Sequence, residues 1–234
     1  AAGRRLILSG RDVPRLDALW AELEAEYGID ICALPADLST VEGVGEVCGI
    51  SQPLELVLLC GAVYHHGALL RQSDVEFDVL TDCNVRHTGR LIRWAVQSLE
   101  ARQGRLLVVG SMGAVLPAPM HASYSASKAW LHQFVRSIQA EQSHRGVRIT
   151  LGIPAGIATP MLLTSPAWET MKKNPMARFT LMSPDMVAAR FLIGVKKGRP
   201  VVIPGFLNRC AFRFATWMPL FMRLWLARRF YGVG

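Results

Sequence analysis

Tyr124 and Lys128 stand four residues apart in a segment of helical periodicity, so their side chains share one helix face. A free tyrosine hydroxyl has a pKa of about 10 and exchanges protons reluctantly near neutral pH, whereas a nearby ammonium stabilises tyrosinate and eases the exchange. Ser111 lies 13 residues before Tyr124, just after an apolar run, and its hydroxyl could hold a reacting oxygen beside the tyrosine. Asn84 precedes Ser111 by 27 residues. Together these types suit proton delivery to an oxygen that is gaining negative charge. Singly, each has an ordinary reading: a helix-start aromatic, a solvated lysine, a turn serine, and a polar side chain on a solvated helix face.

Positioning such groups requires a regular scaffold, and the hydrophobic pattern supplies one. Short apolar runs alternate with helical periodicity. Strands are predicted at Arg5 to Ser9, Ile29 to Ala36, Leu54 to Leu59, Gly104 to Gly110, Val147 to Ile153 and Pro200 to Ile203. Helices are predicted at Val13 to Tyr27, Thr40 to Cys48, about Asp74 to Arg102, about Tyr124 to Arg145, and Ser183 to Lys197, the last with a Ser183 cap. Strands as continuously apolar as Leu106-Leu107-Val108-Val109 call for a parallel sheet covered on both faces, hence a doubly wound Rossmann-type α/β domain. In such sheets ligands gather at the carboxyl ends of the strands, where Ser111 falls.

The order Asn84, Ser111, Tyr124-Ser125-Ala126-Ser127-Lys128 resembles the short-chain dehydrogenases/reductases, a likeness running from Leu6 to about Pro160. The resemblance implies reversible hydride transfer between a nicotinamide and a carbonyl, with Tyr124 as acid/base. It gives Lys128 the role of lowering the tyrosine pKa, Ser111 that of binding substrate oxygen, and Asn84 that of fixing a water that connects Lys128 to solvent.

It also implies cofactor contacts, at Ser9 and Arg11, Asp37 and Leu38, Cys60 and Gly61, and Pro154, Ile157 and Thr159, besides Tyr124 and Lys128. After the first strand the sequence reads Ser9-Gly10-Arg11, with an arginine to pair a 2′-phosphate and no carboxylate to repel it, which favours NADP(H) over NAD(H). Asp37-Leu38-Ser39-Thr40 also reads as a simple helix cap. Two departures stand out. The family's Asn-Asn-Ala-Gly turn is here Leu59-Cys60-Gly61-Ala62. Its opening strand, glycine-rich turn and helix have no counterpart ahead of Leu6, so the resemblance implies a chain incomplete at its N-terminus. Those departures keep a non-catalytic binding or scaffold protein of the same fold in view.

Met112 to His121 and Met161 to Arg178 would form the substrate wall and lid by resemblance. Their content, including Met112, Val115, Leu116, Met120, Met161, Leu162, Leu163, Trp168 and Met171, suits an apolar carbonyl or secondary alcohol. His65, His66 and His121 lack a spaced acidic partner, and no metal site is expected. Five widely spaced cysteines without a CxxC pattern argue against a disulfide framework and for a reducing, cytoplasmic compartment, most of them as core residues.

The net charge of +8 is unevenly distributed: residues 186–234 carry nine Arg or Lys and no Asp or Glu, while residues 1–185 carry 17 basic and 18 acidic side chains. That is not the pattern of a nucleic-acid-binding body. The chain divides into a catalytic domain, residues 1–205, and a basic, apolar helical extension, residues 206–234. No run in Phe206 to Phe230 reaches the roughly 18 uncharged apolar residues of a membrane span. The extension suits either peripheral contact with the inner face of a membrane or packing over the pocket or a neighbouring subunit, and Pro219 should break it into two short helices. The family likeness implies a homo-oligomer.

Overall fold

The computed structural model describes residues 5–144, 146–172 and 180–231. Six short parallel strands, β1 (Leu6–Gly10), β2 (Ile31–Pro35), β3 (Leu56–Leu59), β4 (Arg105–Val109), β5 (Arg148–Gly152) and β6 (Val201–Val202), alternate with helices, the Rossmann-type α/β architecture expected. One sheet was anticipated. Instead β1 pairs with β2 alone, and β3-β4-β5-β6 form a separate ladder, so among the described residues no ladder joins β1 to β3.

The helix ends follow local chemistry. In α1 (Val13–Tyr27) the Asp12 carboxylate accepts from the Arg15 N–H at 3.1 Å, and Gly28 closes the helix at a φ of 58° that an L side chain resists. Thr40 caps α2 (Val41–Cys48). Ser73 and Glu76 form a reciprocal capping box at the start of α3 (Asp74–Thr81). The single long helix predicted from Asp74 is interrupted: a π-helical turn at Asp82–His87 separates α3 from α4 (Thr88–Glu100). There the Thr88 hydroxyl donates to the Cys83 carbonyl, five residues back, at 2.8 Å. Such turns admit one extra residue and re-aim the side chains within them, here Asn84.

Packing turns strand alternation into layers. Leu106 and Val108 of β4 pack with Ile92 of α4 and with Leu131 and Val135 of α5 (Ala122–Glu141), and Leu151 of β5 joins the same cluster. Leu107 points the other way, to Val187 and Phe191. These belong to α8 (Pro184–Lys196), which follows two short helices, α6 (Pro160–Leu163) and α7 (Pro166–Met171). Ile92, Leu106 and Leu151 are fully buried, each contributing about 1.5–3 kcal/mol from apolar area removed from water. The chain then forms α9 (Phe206–Trp217) and α10 (Leu220–Tyr231). Met218 is extended, as the residue before Pro219 should be, so the expected break occurs there. Phe212 of α9 reaches the main core. None of the helices among the described residues is long and apolar enough to cross a membrane.

Candidate active site

Ser111 follows β4 directly, and its neighbours are tied to the β5 side: the Gly110 N–H donates to the Gly152 carbonyl at 2.7 Å and the Met112 N–H to that of Pro154 at 2.9 Å. Its backbone N–H donates to Nε2 of His132 at 3.3 Å, and its hydroxyl accepts from the Gly113 N–H at 3.1 Å. Sequence reasoning missed His132. It lies four residues beyond Lys128 on α5, and that spacing was the available signal. His132 is buried, which lowers its pKa to about 4, and the nearby cations Arg136 and Lys128 act in the same direction. The neutral ring is what allows Nε2 to accept.

The structure brings Ser111, Tyr124 and Lys128 together. The Ser111 hydroxyl bonds the Tyr124 side chain and pulls its pKa down, but burial dominates and leaves it above the usual tyrosine value. The Lys128 ammonium donates to the Val109 carbonyl at 3.2 Å and lies 5.8 Å from the centre of the Tyr124 ring. Burial depresses the Lys128 pKa to about 8, against an upward pull from the thiols of Cys83 and Cys60. In the protein alone, desolvation dominates both groups.

Asn84 is engaged by neighbouring groups. Its Oδ1 accepts from the Val63 N–H at 2.8 Å, while its Nδ2 donates to the Val63 carbonyl at 2.8 Å and to Ser127 Oγ at 3.1 Å. The side-chain amide braces the loop after β3 against α5 with both of its N–H groups and one lone pair of Oδ1.

Apart from Tyr124 and Lys128 on α5, the proposed cofactor contacts fall at the carboxyl ends of strands. Ser9 and Arg11 flank the end of β1, Asp37 and Leu38 follow β2, Cys60 and Gly61 follow β3, and Pro154, Ile157 and Thr159 follow β5. Leu38 closely approaches Gly61, where a Cβ would stand 3.0 Å from Leu38 Cδ1. The Leu38 carbonyl accepts from Nδ1 of buried His87 at 2.9 Å. Asp37 accepts from the Ser39 N–H at 2.9 Å and from its hydroxyl at 2.8 Å. The backbone bond above all holds its carboxyl below the usual range, with help from Arg11. The loop carrying Ile157 and Thr159 is pinned by Met182: the Ala158 N–H donates to its carbonyl and its N–H to the Gly156 carbonyl, both at 3.0 Å. An apolar side chain over a glycine after β2 and a braced loop beyond β5 fit the two ends of a nicotinamide dinucleotide, with the exposed Arg11 beside the first of them.

On the substrate side the structure shows an aromatic wall that the sequence did not reveal. Tyr64 shares a 2.9 Å hydrogen bond with His121 Nδ1, and its ring meets Tyr124 edge-on at 5.0 Å. His66 and Tyr231 pack against His121 at 4.7 and 5.4 Å. Burial, with His66 and His65 adding to it, lowers the His121 pKa to about 4, and burial raises that of Tyr64. His65 pairs with Glu76 at 3.7 Å. Met112 and Val115 lean onto the core. Residues 173–178 of the expected lid, and the Met171 side chain, lie outside the described residues. The cysteines depart from expectation too: Cys83 alone is buried, whereas Cys32 and Cys48 are half-buried and Cys60 and Cys210 exposed, all free.

Residues 1–170 match the family model for short chain dehydrogenases. The chain belongs to the short-chain dehydrogenase/reductase family. It is 23% identical over 235 residues to the 3-dehydrosphinganine reductase TSC10B of Arabidopsis thaliana, covering 96% of this chain and 70% of that one. Against the 3-oxoacyl-(acyl-carrier-protein) reductase FabG of Rickettsia prowazekii the identity is 26% over 160 residues, 68% of this chain and 65% of the relative. The chain thus spans roughly two thirds of the length of these curated relatives of the family. A short-chain dehydrogenase from Sphingobium yanoikuyae, solved in complex with NADPH, superposes with a TM-score of 0.77 at 22% identity, covering 90% of this chain and 82% of that one.

Proposed function

We propose that this family member is an NADP(H)-dependent oxidoreductase that interconverts a carbonyl and a secondary alcohol on an apolar substrate. The observation that carries the reading is the meeting of the half-buried Ser111 and Tyr124 side chains with the buried Lys128 ammonium, at the carboxyl end of β4. The cofactor, when bound, supplies the hydride that reaches the carbonyl carbon. Ser111 Oγ then holds the substrate oxygen, and Tyr124 delivers its proton to that oxygen as the C–O double bond becomes single. Tyr124 is left as tyrosinate, which the Lys128 ammonium stabilises in a site where burial otherwise disfavours the anion. Holding both hydroxyls in place before reaction contributes more than either group's acidity. Asn84 acts through Val63 and Ser127 as a positioning residue, and His132 does the same through the Ser111 backbone.

Arg11, exposed beside Asp37, supports the preference for a 2′-phosphate, as does the NADPH complex of the similar Sphingobium protein. The relative named for 3-dehydrosphinganine and the apolar content of the expected wall and lid, with Met161 and Leu163 exposed, support an apolar substrate. Five free cysteines support a reducing, cytoplasmic setting. Beyond the small-molecule substrate, the two partners expected from the sequence, a second copy and a membrane, would each need an exposed apolar face.

The test is fluorescence titration with NADPH and NADH, followed by turnover of a panel of apolar ketones. NADPH should bind more tightly, Arg11→Ala should erase that preference, and Tyr124→Phe should bind NADPH normally while losing at least about a hundredfold in turnover. Turnover undiminished in Tyr124→Phe would sink the mechanism. Absence of any nicotinamide binding would favour the non-catalytic reading, which the altered Leu59 to Ala62 turn suits.

A further inference from the structure

Helices α9 and α10 bury one side and present an apolar side to solvent. On α9 the inward side chains are Asn208, Phe212 and Ala215, spaced three or four apart, and Phe206, Leu207, Phe214 and Trp217 face outward. On α10 Ala227 faces inward, while Leu220, Phe221, Leu224 and Trp225 are exposed. The aromatics project far: Phe206 is 70% exposed, Phe221 72%, Trp225 67% and Trp217 88%. Arg209, Arg213, Arg228 and Arg229 stand exposed among them. From residue 186 onward no carboxylate side chain accompanies the nine cations.

We propose that the outward side of α9 and α10 docks on an anionic lipid bilayer, lying in its interface with Trp217, Phe221 and Trp225 inserted among the headgroups. Charge decides between the two occupants this face could take. A second copy meeting it across a two-fold axis would set arginines against arginines, with no acidic residue in the segment to compensate. An anionic bilayer supplies the missing negative charge and an apolar phase for the aromatics at once. Twelve residues per helix, about 18 Å, suit lying along the surface and are too few to span it. The face is also firmly attached to the protein. Arg223 donates to the Val115 carbonyl at 3.3 Å, and the Tyr231 ring packs on His121, so the inner side of α10 closes onto the same wall that borders Tyr124. A docked protein would hold that wall within a side chain or two of the lipid.

Co-sedimentation tests this directly, using phosphatidylcholine vesicles with and without 30% phosphatidylserine at low and high salt. The protein should pellet with the anionic vesicles at low salt, less so at 0.5 M salt, and hardly with pure phosphatidylcholine. Arg209→Ala with Arg213→Ala should weaken binding roughly fivefold per arginine removed, and Trp217→Ser with Trp225→Ser at least as much. Circular dichroism would establish that each variant is folded, and Arg228→Ala with Arg229→Ala, at the solvent-exposed end of α10, offers a second charge variant. No pelleting with anionic vesicles at low salt overturns the proposal, as does binding that folded variants leave unchanged. Self-association in sedimentation equilibrium that the same substitutions abolish, without vesicle binding, makes the face a subunit interface and overturns it too. Turnover plays no part in these readouts, so they stand or fall separately from the oxidoreductase reading.

Discussion

Lys128 illustrates a conflict between stability and chemistry within one side chain. Its folded pKa of about 8 lies below the ordinary 10.5, so the folded state holds the ammonium less willingly than the unfolded chain does. Stability linked to this group is therefore complete above pH 10.5 and is lost as pH falls towards 8, leaving a net penalty at neutral pH. Replacing it by Met should remove that penalty, and the cost of one hydrogen bond to the Val109 carbonyl is smaller, about 1 kcal/mol. Lys128→Met is expected to raise the thermal midpoint while turnover falls by orders of magnitude; calorimetry and a ketone-reduction assay on one sample check both. A lower midpoint would mean that the ammonium is better solvated than its burial implies.

Among the elements, the π-turn at Asp82–His87 matters most to the site, because it carries Asn84 into three hydrogen bonds that join the loop after β3 to α5. Asn84→Ala should cost about 2–3 kcal/mol, since it leaves both backbone groups of Val63 without partners. Asn84→Asp keeps the acceptor and should recover part of that loss, as urea titrations of the two variants would show. Helix α1 was legible in the sequence to the residue because Asp12 and Gly28 mark both ends chemically. The Ser111, Tyr124 and Lys128 cluster was legible because strand end and helix face follow from spacing. The π-turn was not, since one extra residue leaves the apolar pattern on either side unchanged. Nor was the role of His132, which depends on α5 crossing behind Ser111, or the wall of Tyr64, His121 and Tyr231, whose members lie far apart in the chain.

At the scale of the whole molecule, His121 and His132 should set an acid limit. Both are held neutral with folded pKa values of about 4, against 6.5 when unfolded. The unfolded chain takes up protons first, so the stability they secure is complete above pH 6.5 and lost as pH falls towards 4. The loss is at most about 3 kcal/mol per ring. Urea midpoints should be flat from pH 7 to 8 and fall steeply below 6, and His121→Phe should flatten part of that fall.

The place of β4 and β5 inside their ladder has a consequence for how the molecule opens. Strands β4 and β5 are hydrogen-bonded on both sides and sheathed by helices. Amide protons of Arg105–Val109 and Arg148–Gly152 should therefore exchange with deuterium only when the whole domain unfolds, the slowest class in a hydrogen-exchange experiment.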